Sequence, residues 1–550
     1  MHTTKHFVTT SKADLILFNG RIITMDDRNT IAKAVAIKGN LIVMVGDDEK
    51  IKSLVGESTL QIDLNGKSVL PGLIDAHVHF IDDGVARIRE VDVRTDKVKS
   101  IEELLEKIRE KADETPEGKW IIGHGSPGQD LKFAEKRFPN RWELDKAAPK
   151  HPVTVHCGAH INIVNSVALK IANITRNTPD PKGGWIVREP ETNEPTGVLR
   201  ETAKYLVWKY IPEPTVEEYK RGILAGATDV IRSGTTTIHD IITRPEAIKA
   251  YQELKLEGQL PLRVRLLVRV IESNITIDPF LELGLMTGFG DEWLSIGGVK
   301  MSIDGGMTGR NAAFYEGFAD EPGHQGVIRI PQELLEDTIS KAHNVGLQCH
   351  VHAIGDIAHD MVFKAFEKIL KETPREDHRH RIEHLGMWCF TPNRRKKTKE
   401  LSLIPVLNPS VLAGMGEFLL SCLGPERSSD LYPMKTLFSE GFRFTIGSDG
   451  PGYWPVNPLR DVWACIAHKT EKGNVVSPEE RITLQQALRL VTIDAAWAAF
   501  EEEIKGSIEV GKLADMTILS EDLFNVPVDK VKDLKVYMTI LNGSIVHQLN

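Results

Sequence analysis

The sequence predicts an α/β protein: a (β/α)8 TIM barrel over residues 71–504, carried with a composite β-sandwich domain built from both chain ends, 1–70 and 505–550. Three observations predict it. Strand-like and helix-like segments alternate along the middle of the chain, which favours a parallel sheet. The two ends read as short strands broken by turn dipeptides, with no long amphipathic helix between them. Several middle strands finish in histidine or aspartate, and a barrel of this class keeps its chemistry at the C-terminal ends of its strands.

At the N-terminal end, Leu15 to Met25, Ala32 to Lys38, Leu41 to Val45 and Ser68 to Leu70 are rich in β-formers. Asn19-Gly20, Lys38-Gly39-Asn40 and Asn65-Gly66 separate them as hairpin signals. At the other end, Ser507 to Leu519 and Val536 to Val546 repeat the pattern around Asn542-Gly543. Ser100-Ile101-Glu102-Glu103 reads as a capping box opening a helix with apolar Ile101, Leu104, Leu105, Ile108 and Ala112 on one face. Trp120 to Gly123 is a strand. An inserted or elaborated segment is expected at about 90–215, irregular from about 124 onward. Beyond it, strands at 235–239, 264–270, 296–303, 347–353, 381–385, 403–407 and 442–447 follow, with helices at 216–233, 245–257, 331–344 and 356–370 among them. With the strand before His79 the count reaches about eight. An open doubly wound sheet is the alternative, but no Gly-x-Gly-x-x-Gly follows an early strand.

The totals narrow the function. The 550 residues are too many for one ordinary domain. A net charge of -9 argues against nucleic acid as a partner. Five scattered cysteines with no Cys-x-x-Cys argue against a disulfide framework and fit a reducing cytoplasm. No signal-peptide h-region and no apolar run of membrane-spanning length is expected.

The candidate site residues come from strand ends. In Leu73-Ile74-Asp75-Ala76-His77-Val78-His79, the histidines lie two apart, so they share a face about 7 Å apart along the backbone. That spacing suits one divalent metal. In Leu347-Gln348-Cys349-His350-Val351-His352-Ala353, His350 and His352 share a face, with His352 nearer the strand end. His352 is therefore the better ligand candidate; His350 is either a hydrogen-bonded core histidine or a group facing substrate. His384 and Asp449 end two later strands. Lys300 sits among apolar neighbours, where an inward-pointing ammonium is costly unless paired or chemically altered.

Taken together these pieces resemble the amidohydrolase superfamily, and within it amidohydrolase family 3, the YtcJ-like metal-dependent hydrolases. The resemblance rests on Leu70-Pro71-Gly72-Leu73-Ile74-Asp75-Ala76-His77-Val78-His79, Gly298-Val299-Lys300 with Asp304-Gly305, His352-Ala353-Ile354-Gly355-Asp356, Arg381-Ile382-Glu383-His384, Gly447-Ser448-Asp449, and the tail Lys505 to Asp515. It implies that His77, His79 and Asp449 hold one metal and His352 and His384 a second. Lys300, carboxylated on its amine, would bridge them. The cofactor implied is Zn2+, as one or two divalent ions. The departures from the family pattern, at Gly306 to Ala312 and at Gly123 to Asp130, lie where substrate contacts are expected.

The implied chemistry is hydrolysis of a non-peptide C–N bond, with N-substituted formamides among the plausible amides. A divalent cation lowers the pKa of its water toward about 7, and Asp449 acts as general base and then acid. A deaminase on the same scaffold is the first alternative; such enzymes place Glu where Gly355 stands here. A non-catalytic assembly protein is the second, disfavoured because all six ligand positions are filled. His124, His160, Trp185, Glu201, His350 and Tyr453 are candidate substrate contacts. A small-molecule amide substrate, a cytoplasmic location and a homodimer, with no nucleic-acid or membrane partner, complete the expectation.

Overall fold

The computed structural model describes residues 12–549 except 127, 128, 159, 160, 182, 183, 272, 274, 452 and 453. It divides into two compact units, one made of residues up to 81 together with 226 onward, the other of 82–225.

In the first unit an eight-stranded parallel sheet runs in chain order: β1 (Leu73–Val78), β2 (Thr235–Ile242), β3 (Arg263–Arg269), β4 (Leu294–Ser302), β5 (Cys349–His352), β6 (Arg381–Glu383), β7 (Ile404–Leu407) and β8 (Thr445–Ile446). Each strand pairs in parallel with the next. Just past β8 the chain returns to β1. Asp449 N–H donates to His77 O at 2.9 Å and His79 N–H to Gly450 O at 2.7 Å. The sheet is thereby nearly closed into a barrel, and the bonds that join its two edges lie among the candidate site residues themselves. Helices Gln332–Asn344, Asp356–Glu372, Pro409–Arg427 and Pro458–Ala467 follow β4, β5, β7 and β8. The last is apolar along nearly its whole length and is buried throughout.

The chain ends form two further sheets in the same unit. One has four strands, all before residue 64; the other has six, in the order 544–548, 536–541, 516–519, 68–71, 21–23, 31–32. Strands from both termini therefore share a sheet. Leu17, Val35, Ile37, Met516, Ile518 and Met538 meet in one apolar cluster.

The second unit corrects the expectation of an irregular segment. It holds a six-stranded mixed sheet in the order 184–188, 195–201, 161–164, 153–157, 121–125, 90–92. The strands are short and alternate apolar with polar residues, as in Val153-Thr154-Val155-His156-Cys157, so they lack the continuous apolar runs of the barrel. Ser100 caps the helix Ile101–Glu114 as expected, accepting from Glu103 N–H. The Glu103 carboxylate, however, accepts from Lys99 N–H, one residue before the cap. Among the described residues no helix is long and apolar enough to cross a membrane, and all five cysteines are free and buried.

Candidate active site

His77, His79, Lys300, His352, His384 and Asp449 all line one cavity of about 250 Å³ at the C-terminal ends of the barrel strands. The His77 and His384 rings lie 4.7 Å apart and those of His352 and His384 4.4 Å apart, centre to centre. Asp449 Oδ1 stands 3.4 Å from Nε2 of both His77 and His79. Two of the strand-end residues, His384 (φ 71°) and Asp449 (φ 58°), adopt left-handed backbone conformations that non-glycine residues seldom hold. Such strain concentrates where side chains must be aimed.

Hydrogen bonds fix which nitrogen each ring presents. His77 Nδ1 meets Glu383 Oε2 at 2.6 Å; an ionised carboxylate can only accept, so Nδ1 carries the proton and the Nε2 lone pair faces the cavity. Asn408 Nδ2 donates to Gly447 O at 2.9 Å, so its Oδ1, 2.7 Å from His384 Nδ1, accepts from that ring. His384 likewise presents Nε2. His352 Nε2 approaches the Gly305 carbonyl at 3.4 Å and Asp304 Oδ1 at 3.5 Å, both acceptors, which leaves Nδ1 as its free lone pair. Burial pushes His384 down to about 3 and His352 well below its ordinary value. These rings are neutral and their lone pairs available.

The carboxylates behave oppositely. Burial works to raise Glu383, but Arg381, Lys300 and His77 around it hold it well below the usual range. Arg381 makes that pairing directly, Nε to Glu383 Oε1 at 2.8 Å. Desolvation likewise works to raise Asp449, but His77, His79 and His384 around it hold it well below the usual carboxylate range. Lys300 is 3 % exposed, and its Nζ has no hydrogen-bond partner among the described residues. Burial lowers it to about 8, against the pull of Glu383 and Asp449. His77 Nε2 is also without a hydrogen bond. Two buried, unsatisfied nitrogens converging on one carboxylate-bearing cavity is costly in the protein alone. A cation coordinated there removes the cost at His77.

The remaining sequence candidates fall elsewhere. His350, two residues deeper on β5, is buried against Glu383 Oε1 (3.4 Å) and the Gly297 carbonyl. His124, Trp185 and Glu201 belong to the 82–225 unit: His124 pairs with Glu90 at 3.3 Å, Trp185 is exposed, and Glu201 ends a strand with φ 50°. His160 and Tyr453 lie outside the described residues. Sequence reasoning passed over Glu383, Asn408 and Asp304 as working groups. Glu383 and Asp304 stood in motifs already singled out, and the alternation on β6 that buries Arg381 and Glu383 together was readable. Asn408 carried no signal of its own.

Gly355 bears on the deaminase alternative. A Cβ there would stand 2.0 Å from the Ala313 carbonyl oxygen, so the backbone excludes a side chain at that position. The next residue, Asp356, accepts from Tyr315 N–H at 2.9 Å and is buried away from solvent.

A larger cavity of about 710 Å³ opens at the other end of the barrel, lined by residues such as Arg265, Ser295 and Gln348 near the strand starts. It gathers no comparable set of histidines, and the strand-start end of this architecture serves stability.

Residues 61–547 match the family model described as "Amidohydrolase family". The chain is 32% identical over 521 residues to Protein LONG AFTER FAR-RED 3 of Arabidopsis thaliana, covering 92% of this chain and 87% of that protein. It is 30% identical to the putative amidohydrolase YtcJ of Bacillus subtilis (strain 168), covering 97% and 99%. It is 27% identical to the N-substituted formamide deformylase of Arthrobacter pascens, covering 97% and 98%. Among solved structures, an uncharacterized metal-dependent hydrolase from Pyrococcus horikoshii OT3 superposes with a TM-score of 0.77 at 25% identity, over 94% of this chain and 99% of that one.

Proposed function

The chain belongs to the amidohydrolase family, and on that premise we propose that it hydrolyses the C–N bond of a small non-peptide amide, with N-substituted formamides as the leading substrate class. The observation that carries this reading is the convergence of neutral imidazole lone pairs, one ionised carboxylate and one unpartnered buried amine on a single cavity. The formamide class is supported by the similarity to the deformylase over nearly the full length of both chains.

The donor set fits a zinc-class divalent ion, which prefers imidazole nitrogen and carboxylate oxygen. His77, His79 and Asp449 would hold one ion, and their ligand atoms already lie within 4.8 Å of one another. His352 and His384 would hold a second. Lys300, once it has lost its ammonium proton, would attack CO2 through its lone pair and release a second N–H proton to solvent; the carbamate so formed would offer both ions an anionic oxygen ligand. When bound, the metal supplies Lewis acidity toward the substrate carbonyl and toward water.

The chain's own groups do the rest. The Asp449 carboxylate, through the oxygen not turned to the ion, accepts the proton from the attacking water and returns it to the departing nitrogen. Amide nitrogen leaves poorly as an anion, so this second transfer is needed for C–N cleavage. Glu383 and Asn408 hold His77 and His384 in the tautomers that face the cavity, the positioning role that outer hydrogen bonds play around metal ligands. The same reading takes the two sheets made from the chain ends as one β-sandwich domain, 1–70 plus 505–550, on a barrel of 71–504. It takes the protein as a cytoplasmic homodimer acting on a small molecule, without nucleic-acid or membrane partners.

The test is a screen of metal-loaded protein against N-substituted formamides, other acyl amides, lactams and aminopyrimidines. Release of formate with the free amine is expected. Ammonia release from aminopyrimidines, without amide hydrolysis, would replace this reading with the deaminase.

A further inference from the structure

We infer that Glu90, His124 and His156 form a second divalent-cation site, lying wholly within the 82–225 unit and using none of the six barrel side chains. Three adjacent parallel strands, 90–92, 121–125 and 153–157, supply one residue each. The register sets His124 directly opposite His156. Side chains alternate between the faces of a strand. Val91, Val155, Val153 and Ile121 pack into the apolar cluster of this unit, so Glu90, His124 and His156 share the opposite face.

The three side chains converge on one point. Glu90 Oε2 lies 2.7 Å from His156 Nε2 and 3.3 Å from His124 Nδ1, and the two rings are 4.8 Å apart, centre to centre. All three ligand atoms fall within 4.8 Å of one another. A tetrahedral zinc with bonds of about 2.0–2.1 Å spaces its ligand atoms by about 3.4 Å, so small side-chain movements suffice. The three side chains are 18–24 % exposed, open to an entering ion yet partly desolvated. Burial works to raise Glu90, but the hydrogen bonds and charges of His124 and His156 hold it down at about 2, so it offers an ionised oxygen throughout the ordinary pH range.

A second observation points the same way. On the neighbouring strand 161–164, Asn162 stands directly opposite His156. It is 2 % exposed and donates through Nδ2 to Thr154 Oγ1 at 3.0 Å. Its Oδ1 has no hydrogen-bond partner among the described residues. A buried, unsatisfied oxygen on the histidine-bearing face is the kind of group a hydrated ion satisfies. Two imidazoles and one carboxylate select a zinc-class cation over magnesium or calcium, and three protein ligands leave a position for water.

The test uses the full-length protein with the ligands of both barrel positions removed, His77→Ala/His79→Ala/His352→Ala/His384→Ala/Asp449→Ala, dialysed against Zn2+ and, separately, Co2+. One bound equivalent is expected, with a Co2+ visible spectrum of low-coordinate nitrogen–oxygen ligation. Adding Glu90→Gln and His156→Ala should lower the affinity at least about 10²-fold. No bound metal in the barrel-ligand variant, or unchanged binding after the Glu90 and His156 substitutions, would overturn the site. A measurement on the unsubstituted chain covers failure of these variants to fold. Zn2+ should protect His124 and His156 from diethyl pyrocarbonate, mapped by peptide mass spectrometry; equal labelling with and without Zn2+ would overturn the site. Labelling of His77 and His79 in the same map reports the barrel mouth separately, so failure of one site is distinguishable from failure of the other.

Discussion

Two groups of histidines sit on the same barrel, and they differ in how their ring nitrogens are used. In His343, His378 and His380 every ring nitrogen has a protein partner. His343 Nε2 donates to Thr373 O at 2.8 Å, and its Nδ1 accepts from His380 Nε2 at 2.9 Å. His380 Nδ1 accepts from Cys349 N–H, His378 Nδ1 from His380 N–H, and His378 Nε2 donates to Leu401 O. This is a closed network with nothing left over. At the barrel mouth, His77, His352 and His384 each have one nitrogen held by a protein acceptor, while the other is left toward the cavity. Two buried lysines repeat the contrast. Neither amine has a hydrogen bond among the described residues, but Lys505 Nζ lies 2.9 Å from Glu501 Oε2 as an ion pair, whereas Lys300, equally buried, has no carboxylate that close among the described residues. Burial alone does not mark function in this molecule; what sets the mouth apart is that free ring nitrogens, a carboxylate and an amine converge on one cavity.

The largest expected effect lies at the mouth. Asp449→Asn keeps shape and most metal affinity but removes the proton acceptor, and turnover should fall at least about 10²-fold, measured as kcat beside metal content. Near-normal rates would take Asp449 out of the chemistry. Next, Lys300→Ala should lower the bound metal per chain. Lys505→Met should leave that stoichiometry intact while costing about 3 kcal/mol of folding stability, because it strips a partner from buried Glu501. Metal analysis with denaturant melts separates the two; equal metal loss in both would erase the distinction between these lysines. Asn408→Ala, which touches the mouth only through His384, should weaken metal binding about 10–100-fold, read by competition with a chromogenic chelator.

The smallest effect concerns the closed network. Burial lowers His378 to about 4 and holds His343 and His380 below their ordinary value. Below about pH 6.5 the unfolded chain takes up protons that these buried rings refuse, so folding stability falls as pH drops from there toward about 4. Each ring contributes at most about 1.4 kcal/mol per pH unit. His378→Gln should flatten that slope without altering metal content. An unchanged slope in thermal melts of metal-free protein across that window would place the acid sensitivity elsewhere.

Much of this was legible in the sequence. The strand–helix alternation pointed to the eight strands, and two-residue spacing placed His77 with His79 on one face. The depth rule along β5 put His352 nearer the cavity than His350. What stayed hidden depends on contacts between distant segments. Asn408 acquires a role only because β6 and β7 are neighbours and Gly447 fixes its amide. Glu383 matters because β1 and β6 face each other across the barrel, 306 positions apart in the chain. The sheet of the 82–225 unit escaped notice because its polar alternating strands imitate loops. The Glu90, His124 and His156 cluster exists only through the register of three such strands.

The most direct test of the central claim is anomalous diffraction at the zinc edge from crystals of the full-length protein grown with zinc. A peak is expected about 2.0–2.2 Å from His77 Nε2, the His79 ring and Asp449 Oδ1. A zinc-loaded crystal with no anomalous density among these side chains, and His77 Nε2 instead bonded to protein or water, would contradict it.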